Sequence, residues 1–124
     1  FGYAFDDTIN SKNWAKLGQR KTLKYLSKIK SLLDGNKIEM LIVYYPSAID
    51  ILENNKKKEN SKHYNLLYTW SKKNNVNLID THEDFFKQND PIKNYKTNHI
   101  ICDVHWNENG HKIISKNILN YIKN

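Results

Sequence analysis

Apolar residues recur at helical spacing between Gln19 and Asp34. Leu23, Leu26, Ile29, Leu32 and Leu33 mark one stripe, while Lys21, Lys24, Lys28 and Lys30 fill the opposite face, which predicts an amphipathic helix. Gly35 supplies the expected stop. The period then changes. Ile38 to Tyr45 (IEMLIVYY) is a continuous apolar run of strand length, rich in β-branched and aromatic residues, and ended by Pro46. Apolar residues at both parities favour a strand buried on both faces of a parallel sheet. Ser47 to Asn54 reads as a short helix and Asn54 to Lys62 as a charged loop. His63 to Asn74 reads as a second amphipathic helix, with Tyr64, Leu67, Tyr68 and Ser71 on one stripe. Val76 to Asp80 (VNLID) is a short second strand, after which Thr81 is placed to cap a brief helix reaching Phe85 and Phe86. Gln88 to Asn98, which contains Pro91, reads as loop. Asn107 to Asn124 is the closing helix, with Ile114, Ile118, Tyr121 and Ile122 facing the core and Asn107 as N-cap. Phe1 to Gly18, carrying Tyr3, Phe5 and Trp14, reads as irregular structure or a short helix.

Helices alternating with strands predict an α/β domain, and 124 residues suffice for one such domain and not two. Two strands are too few for an open parallel sheet whose strands are buried on both faces, because something must cover their edges. Either a partner contributes strands or the N-terminal part of the domain is missing. The second is the expectation adopted here.

Composition alters this picture little. The chain is 39% hydrophobic and 12% aromatic, as a globular protein is. The formal net charge of +7 raises nucleic acid as a partner, but Arg20 is the only arginine among the 20 basic residues. Bidentate phosphate and guanine contacts favour arginine. The lysines are scattered apart from Lys56–Lys58, so a general Lys/Asn/Ile bias with solvated lysines is preferred and no nucleic-acid partner is expected. Cys102 is the only cysteine, which excludes an internal disulfide and a multi-cysteine zinc site. No stretch approaches the roughly 18 apolar residues of a membrane span. No secretory signal is visible, but the chain starts at Phe1, so one could precede it and the compartment stays open.

The stretch Ile101 to Ser115 (ICDVHWNENGHKIIS) carries the chemistry. Asp103 and His105 stand two apart, before a helix and after an apolar approach. In an extended segment such residues point to one side, roughly 6.5–7 Å apart. The carboxylate can then lean onto Nδ1–H of the imidazole, fixing the tautomer and leaving Nε2 as a base. Asn107 would cap the helix, Gly110 would allow close packing against neighbouring backbone, and Trp106 would pack over the loop or wall a pocket. Metal binding by His111 with His105 and Asp103 fits no standard zinc spacing, so no metal is expected and His111 is read as a packing residue. Cys102, flanked by Ile100 and Ile101, is read as a buried small residue and not as a nucleophile. His63, His82 and His99 are read as surface or loop residues. Tyr45 and Ser47 follow a strand, where α/β folds build their sites. Ser47 as a substitute nucleophile lacks the glycines of a strained elbow.

This block resembles the C-terminal block of the SGNH (GDSL-type) hydrolase superfamily, whose members end in an Asp and a His, then an Asn or Pro, a Gly and a final helix. The form DxHWNxxGH is similar to that of bacterial SGNH-like branches, some of which act on acyl groups of cell-surface glycans. Ile42–Pro46 (IVYYP) resembles the family's late core strand, and Val76–Asp80 with Phe85 and Phe86 resembles the next strand and its trailing helix. The resemblance implies a three-layer flavodoxin-like sandwich with a parallel sheet, of which residues 1–124 would be the C-terminal 60% or so. It implies Asp103 and His105 as acid and base of a serine esterase or acyltransferase, an ester or acylated-glycan substrate, and no cofactor; Trp106, Tyr45 and Ser47, placed by their positions beside the motif and at the strand end, are the expected substrate-binding residues. A bacterial cell envelope and the cytoplasm are both compatible with it. The departures are specific. One residue and not two separates Asp from His, and the family's Gly-Asp-Ser nucleophile block and its oxyanion-hole Gly and Asn blocks are not found. The chain alone is therefore expected to be nearly inactive. A non-catalytic carbohydrate-binding or assembly domain is the alternative.

Overall fold

The computed structural model describes residues 9–54 and 56–123, with backbone only at 9–14 and 60. The expectation for Tyr3 and Phe5 lies outside the described residues. The chain divides into two compact units, one ending at Met40 and one beginning at Leu41.

The first unit holds helix α1 (Ile9–Gly35), which begins ten residues before the predicted Gln19. Its end is set by Lys37, not by Gly35. Lys37 adopts φ 57°, and the amides of Lys37 and Ile38 return to the carbonyls of Asp34 and Leu33 at 3.0 and 2.9 Å. That pairing is a Schellman motif with lysine in the left-handed position usually taken by glycine.

The second unit is built on two parallel strands, β1 (Leu41–Tyr44) and β2 (Asn77–Asp80), paired from Leu41↔Asn77 to Tyr44↔Asp80. The mixed α/β class is as expected. The crossover between them contains α2 (Ala48–Leu52), a single 3-10 turn and α3 (Lys62–Lys73). Ser47 starts α2 with a reciprocal capping box. Its hydroxyl accepts from the Asp50 amide, and the Asp50 carboxylate accepts from the Ser47 amide. Asn75 (φ 52°) closes α3 in the same way that Lys37 closes α1.

After β2 come α4 (His82–Phe85), α5 (Pro91–Asn98) and α6 (Glu108–Lys123). Thr81 precedes α4 but makes no side-chain cap; its hydroxyl donates instead to the Tyr44 carbonyl at 2.8 Å, extending the tie between the two strand ends. The segment read as loop from Gln88 to Asn98 contains α5. Pro91 there is a helix-starting residue, because the first helical position has no intrahelical use for an N–H, and Asp90 caps it by accepting from Lys93. Ile51 and Phe85 are fully buried and form the core with Ile114, flanked by Val43, Tyr95, Trp106 and Ile118. None of the helices among the described residues is long and apolar enough to cross a membrane.

Candidate active site

The Asp103–His105 segment is not an extended approach. It is a small loop closed by an antiparallel bridge between His99 and Trp106 and by the Ile100 amide donating to the His105 carbonyl at 3.0 Å. Ile100 to Asp103 form a β-turn, in which the Asp103 amide returns to the Ile100 carbonyl and Cys102 sits at φ 63°. A positive φ at the third residue of a turn normally selects Gly or Asn. Cys102 is exposed there, which corrects its reading as a buried small residue, since the turn carries it outward.

The turn delivers the two side chains by local hydrogen bonding. Asp103 Oδ1 accepts from the His105 amide at 3.1 Å, in the manner of an Asx-turn, and lies 2.6 Å from His105 Nδ1. The imidazole hydrogen bond holds the Asp103 carboxyl below the usual carboxylate range, with the His105 amide second. A carboxylate can only accept, so Nδ1 is the donor in this bond, and in the neutral ring the lone pair is then on Nε2. No other side-chain hydrogen bond reaches His105 among the described residues. The side chains of His105 and Asp103 are 77% and 43% exposed, so an incoming group can approach Nε2 unobstructed.

Trp106 and Tyr45 meet edge-on with ring centroids 4.2 Å apart, and Trp106 and His111 meet edge-on at 5.4 Å. His111 is thus a packing residue, and no group of three or more His, Cys, Asp or Glu among the described residues is arranged to hold a metal. Tyr45 also lines a cleft of ≈ 230 Å³ at the carboxyl end of β1, together with Ser47, Asp50, Ser61 and His63. Asp103 and His105 do not line it. The structure therefore joins Tyr45 to Trp106 and, through the cleft, to Ser47, while the Asp103–His105 pair lies outside this group. The Ser47 hydroxyl donates to Asp50 Oδ2 at 2.7 Å, which commits its proton to a carboxylate and not to an imidazole. At the floor of the cleft the Tyr44 hydroxyl is buried without a hydrogen bond of good geometry, although Ser61 is near enough to offset in part the desolvation that raises its pKa.

Asparagines hold the site to the helices. Asn107 caps α6, its Oδ1 accepting from the amides of Asn109 and Gly110 at 2.9 and 3.2 Å, while its Nδ2 donates to the carbonyls of Thr97 and His99. Asn98, buried at the end of α5, donates to Asn94 and accepts from Asn109. Gly110 is placed against the Asn98 carbonyl as the close-packing expectation requires. Three buried or core-facing residues escaped the sequence reading. His82 and His99 are 2% and 1% exposed, which corrects their placement at the surface, and Tyr95 was hidden in a segment read as loop. The signal for His99 and Tyr95 was Pro91 with Asp90 before it, a helix start that puts the two one turn apart; no such signal marked His82.

His99 stacks on Tyr95 at 5.3 Å, and neither ring nitrogen has a hydrogen-bond partner. Burial pushes its pKa down, opposed only weakly by the nearby Tyr95 backbone. The unfolded state then takes up a proton near pH 6.5 that the folded state refuses. Stability is full above that pH and falls as the pH drops through the window below it, by up to about 1.4 kcal/mol per pH unit. The Tm of the wild-type chain is expected to fall between pH 7.5 and 5 more steeply than that of His99→Phe; parallel slopes in the two proteins would refute this assignment.

Comparison with protein-family models, with curated proteins and with solved structures found no match.

Proposed function

We propose that this chain supplies the acid–base half of an SGNH-type serine esterase or acyltransferase, on a flavodoxin-like three-layer domain to which further strands contribute. One observation carries the reading: a carboxylate 2.6 Å from Nδ1 of an imidazole whose Nε2 is unengaged and open to solvent. The pairing of β1 with β2 alone among the described residues leaves a strand edge where such further strands would add.

In this mechanism a serine hydroxyl supplied from outside residues 1–124 gives its proton to His105 Nε2 as its oxygen attacks the ester carbonyl. Asp103 stabilises the imidazolium that results. Collapse of the tetrahedral intermediate returns the proton to the departing alcohol and leaves an acyl-enzyme. Water or a sugar hydroxyl, deprotonated by the same nitrogen, then takes the acyl group. The ester carried on a glycan is the substrate class favoured by the resemblance, with Trp106 and Tyr45 as the aromatic surface beside the base and Ser47 in the adjoining cleft. No step requires a metal or an organic cofactor.

The test uses the full-length gene product with p-nitrophenyl acetate and a fluorophosphonate probe. Ester hydrolysis that stops when the probe labels one serine is the expected result. No labelling, with hydrolysis at the uncatalysed rate, would leave a carbohydrate-binding or assembly domain in its place.

A further inference from the structure

Every residue from Ile100 to His105 is exposed, with Ile101 and Val104 at 65% and 63%. The loop that carries the Asp103–His105 pair is therefore not held by burial of its own side chains. Its internal hydrogen bonds close the turn and the base, but they do not fix the turn to the body of the domain. An Asp–His hydrogen bond of 2.6 Å tolerates little displacement.

One side chain reaches the loop from the core. The Tyr95 ring packs against the cluster of Ile51, Phe85 and Ile114, and its face is covered by the buried ring of His99. Its hydroxyl lies 2.7 Å from the Asp103 carbonyl and 2.9 Å from the Ile100 carbonyl, and accepts from the Asp103 amide at 3.0 Å. A phenol has one proton and two lone pairs, so it can donate to one of the two carbonyls, the Asp103 carbonyl being the nearer, or share its proton between them, while it accepts from the Asp103 amide. A single oxygen thus grips the Asp103 backbone on both sides of its Cα. Apart from Asp103's own carboxylate, which acts within the loop on the Val104 amide, Tyr95 is the side chain seen to bond the backbone of Ile101 to Val104 among the described residues.

We propose that Tyr95 is the positioning residue of the Asp103–His105 pair, fixing the carboxylate by holding the main chain of Asp103 to the domain core. The word positioning rests on the functional reading above; the clamp itself does not. Tyr95 touches neither the imidazole nor a reacting atom, and acts through Asp103.

The test is Tyr95→Phe in the full chain, which keeps the ring in the core and deletes only the oxygen. The carboxyl titration of Asp103 and the exchange of its amide are followed by NMR. Asp103 titrates below the ordinary carboxylate range in the wild type. In the variant its midpoint is expected to rise toward the ordinary value, and its amide exchange to accelerate about tenfold or more. A variant that melts earlier yet leaves both readouts at their wild-type values would overturn the proposal, because a purely structural Tyr95 moves Tm alone. If the variant does not fold, the wild type decides: a nuclear Overhauser contact between the Tyr95 ring edge and the Asp103 amide supports the clamp, and its absence overturns it. None of these readouts depends on hydrolysis, so an inactive protein with an intact clamp would fail only the functional reading.

Discussion

Under the proposed mechanism, His105→Ala is expected to lower kcat for ester hydrolysis by about 10⁶-fold, and Asp103→Asn by about 10⁴-fold, the losses seen when the base or its orienting acid is removed from a serine triad. Neither change should raise KM appreciably, because in that mechanism both residues act on the proton in flight and not on the resting substrate. The difference between them follows from the geometry. Alanine at 105 leaves the hydroxyl without a base. Asparagine at 103 keeps an oxygen for the His105 amide, so the turn survives, but it can present N–H to Nδ1 and so reverse the tautomer, placing the proton on Nε2. The measurement is steady-state hydrolysis of p-nitrophenyl acetate across pH 6–9, with circular dichroism to establish that both variants fold. Retention of activity within tenfold in His105→Ala would remove His105 from the chemistry.

The distribution of what the sequence revealed has a physical cause. Strand β1 was readable because four consecutive apolar residues have few alternatives, and α6 because its stripe is repeated over several turns, of which Ile114 and Ile118 meet the core while Tyr121 and Ile122, also expected there, are exposed. The Asp–His pairing was readable because it is local: two residues apart, it depends on one turn and on no distant contact. Its route was different, however, since the carboxylate meets the ring through an Asx-type turn and not along an extended strand. Helix α5 was not readable from periodicity because its buried residues are Asn94 and Asn98, polar side chains whose burial is made tolerable only by partners on α6 and in the cap. The abundance of asparagine looked like a compositional bias. Asn94, Asn98, Asn107 and Asn109 nonetheless form the hydrogen-bonded seam that joins α5 to α6 beneath the candidate site. His99 was misplaced for the same reason: with α5 read as loop, nothing set it one turn beyond Tyr95 in the interior.

Gly110→Ala tests that seam where it is tightest. A Cβ at this position would stand 2.4 Å from the Asn98 carbonyl oxygen and 2.8 Å from Trp106 Cβ, both nearer than real Cβ atoms come to their neighbours. Neither obstacle is the free end of a flexible side chain. The Asn98 carbonyl accepts from the Asn107 amide at 3.1 Å, and Trp106 forms the His99 bridge that closes the His105 loop. Alanine gains about 1 kcal/mol of helix propensity over glycine, but overpacking of this kind costs roughly 1–3 kcal/mol and more where backbone must move. The steric cost exceeds the gain here because two rigid groups are struck at once. With two rigid groups struck the cost falls at the upper end of that range, so a net loss of about 2 kcal/mol is expected, seen as a Tm lowered by roughly 5–10 °C. Gly18→Ala is the control, since nothing lies within 4 Å of its added methyl and it should leave Tm unchanged or raised. The decisive feature is where the damage falls. Relief of the clash must push α6 away from α5 or turn Trp106, and either movement shifts the residue next to His105, so Trp fluorescence and any esterase activity should change even at temperatures where Gly110→Ala remains folded. A Gly110→Ala protein with wild-type Tm would show that α5 and α6 do not approach as closely as the Asn98 carbonyl requires, and the support beneath the His105 loop would have to lie elsewhere.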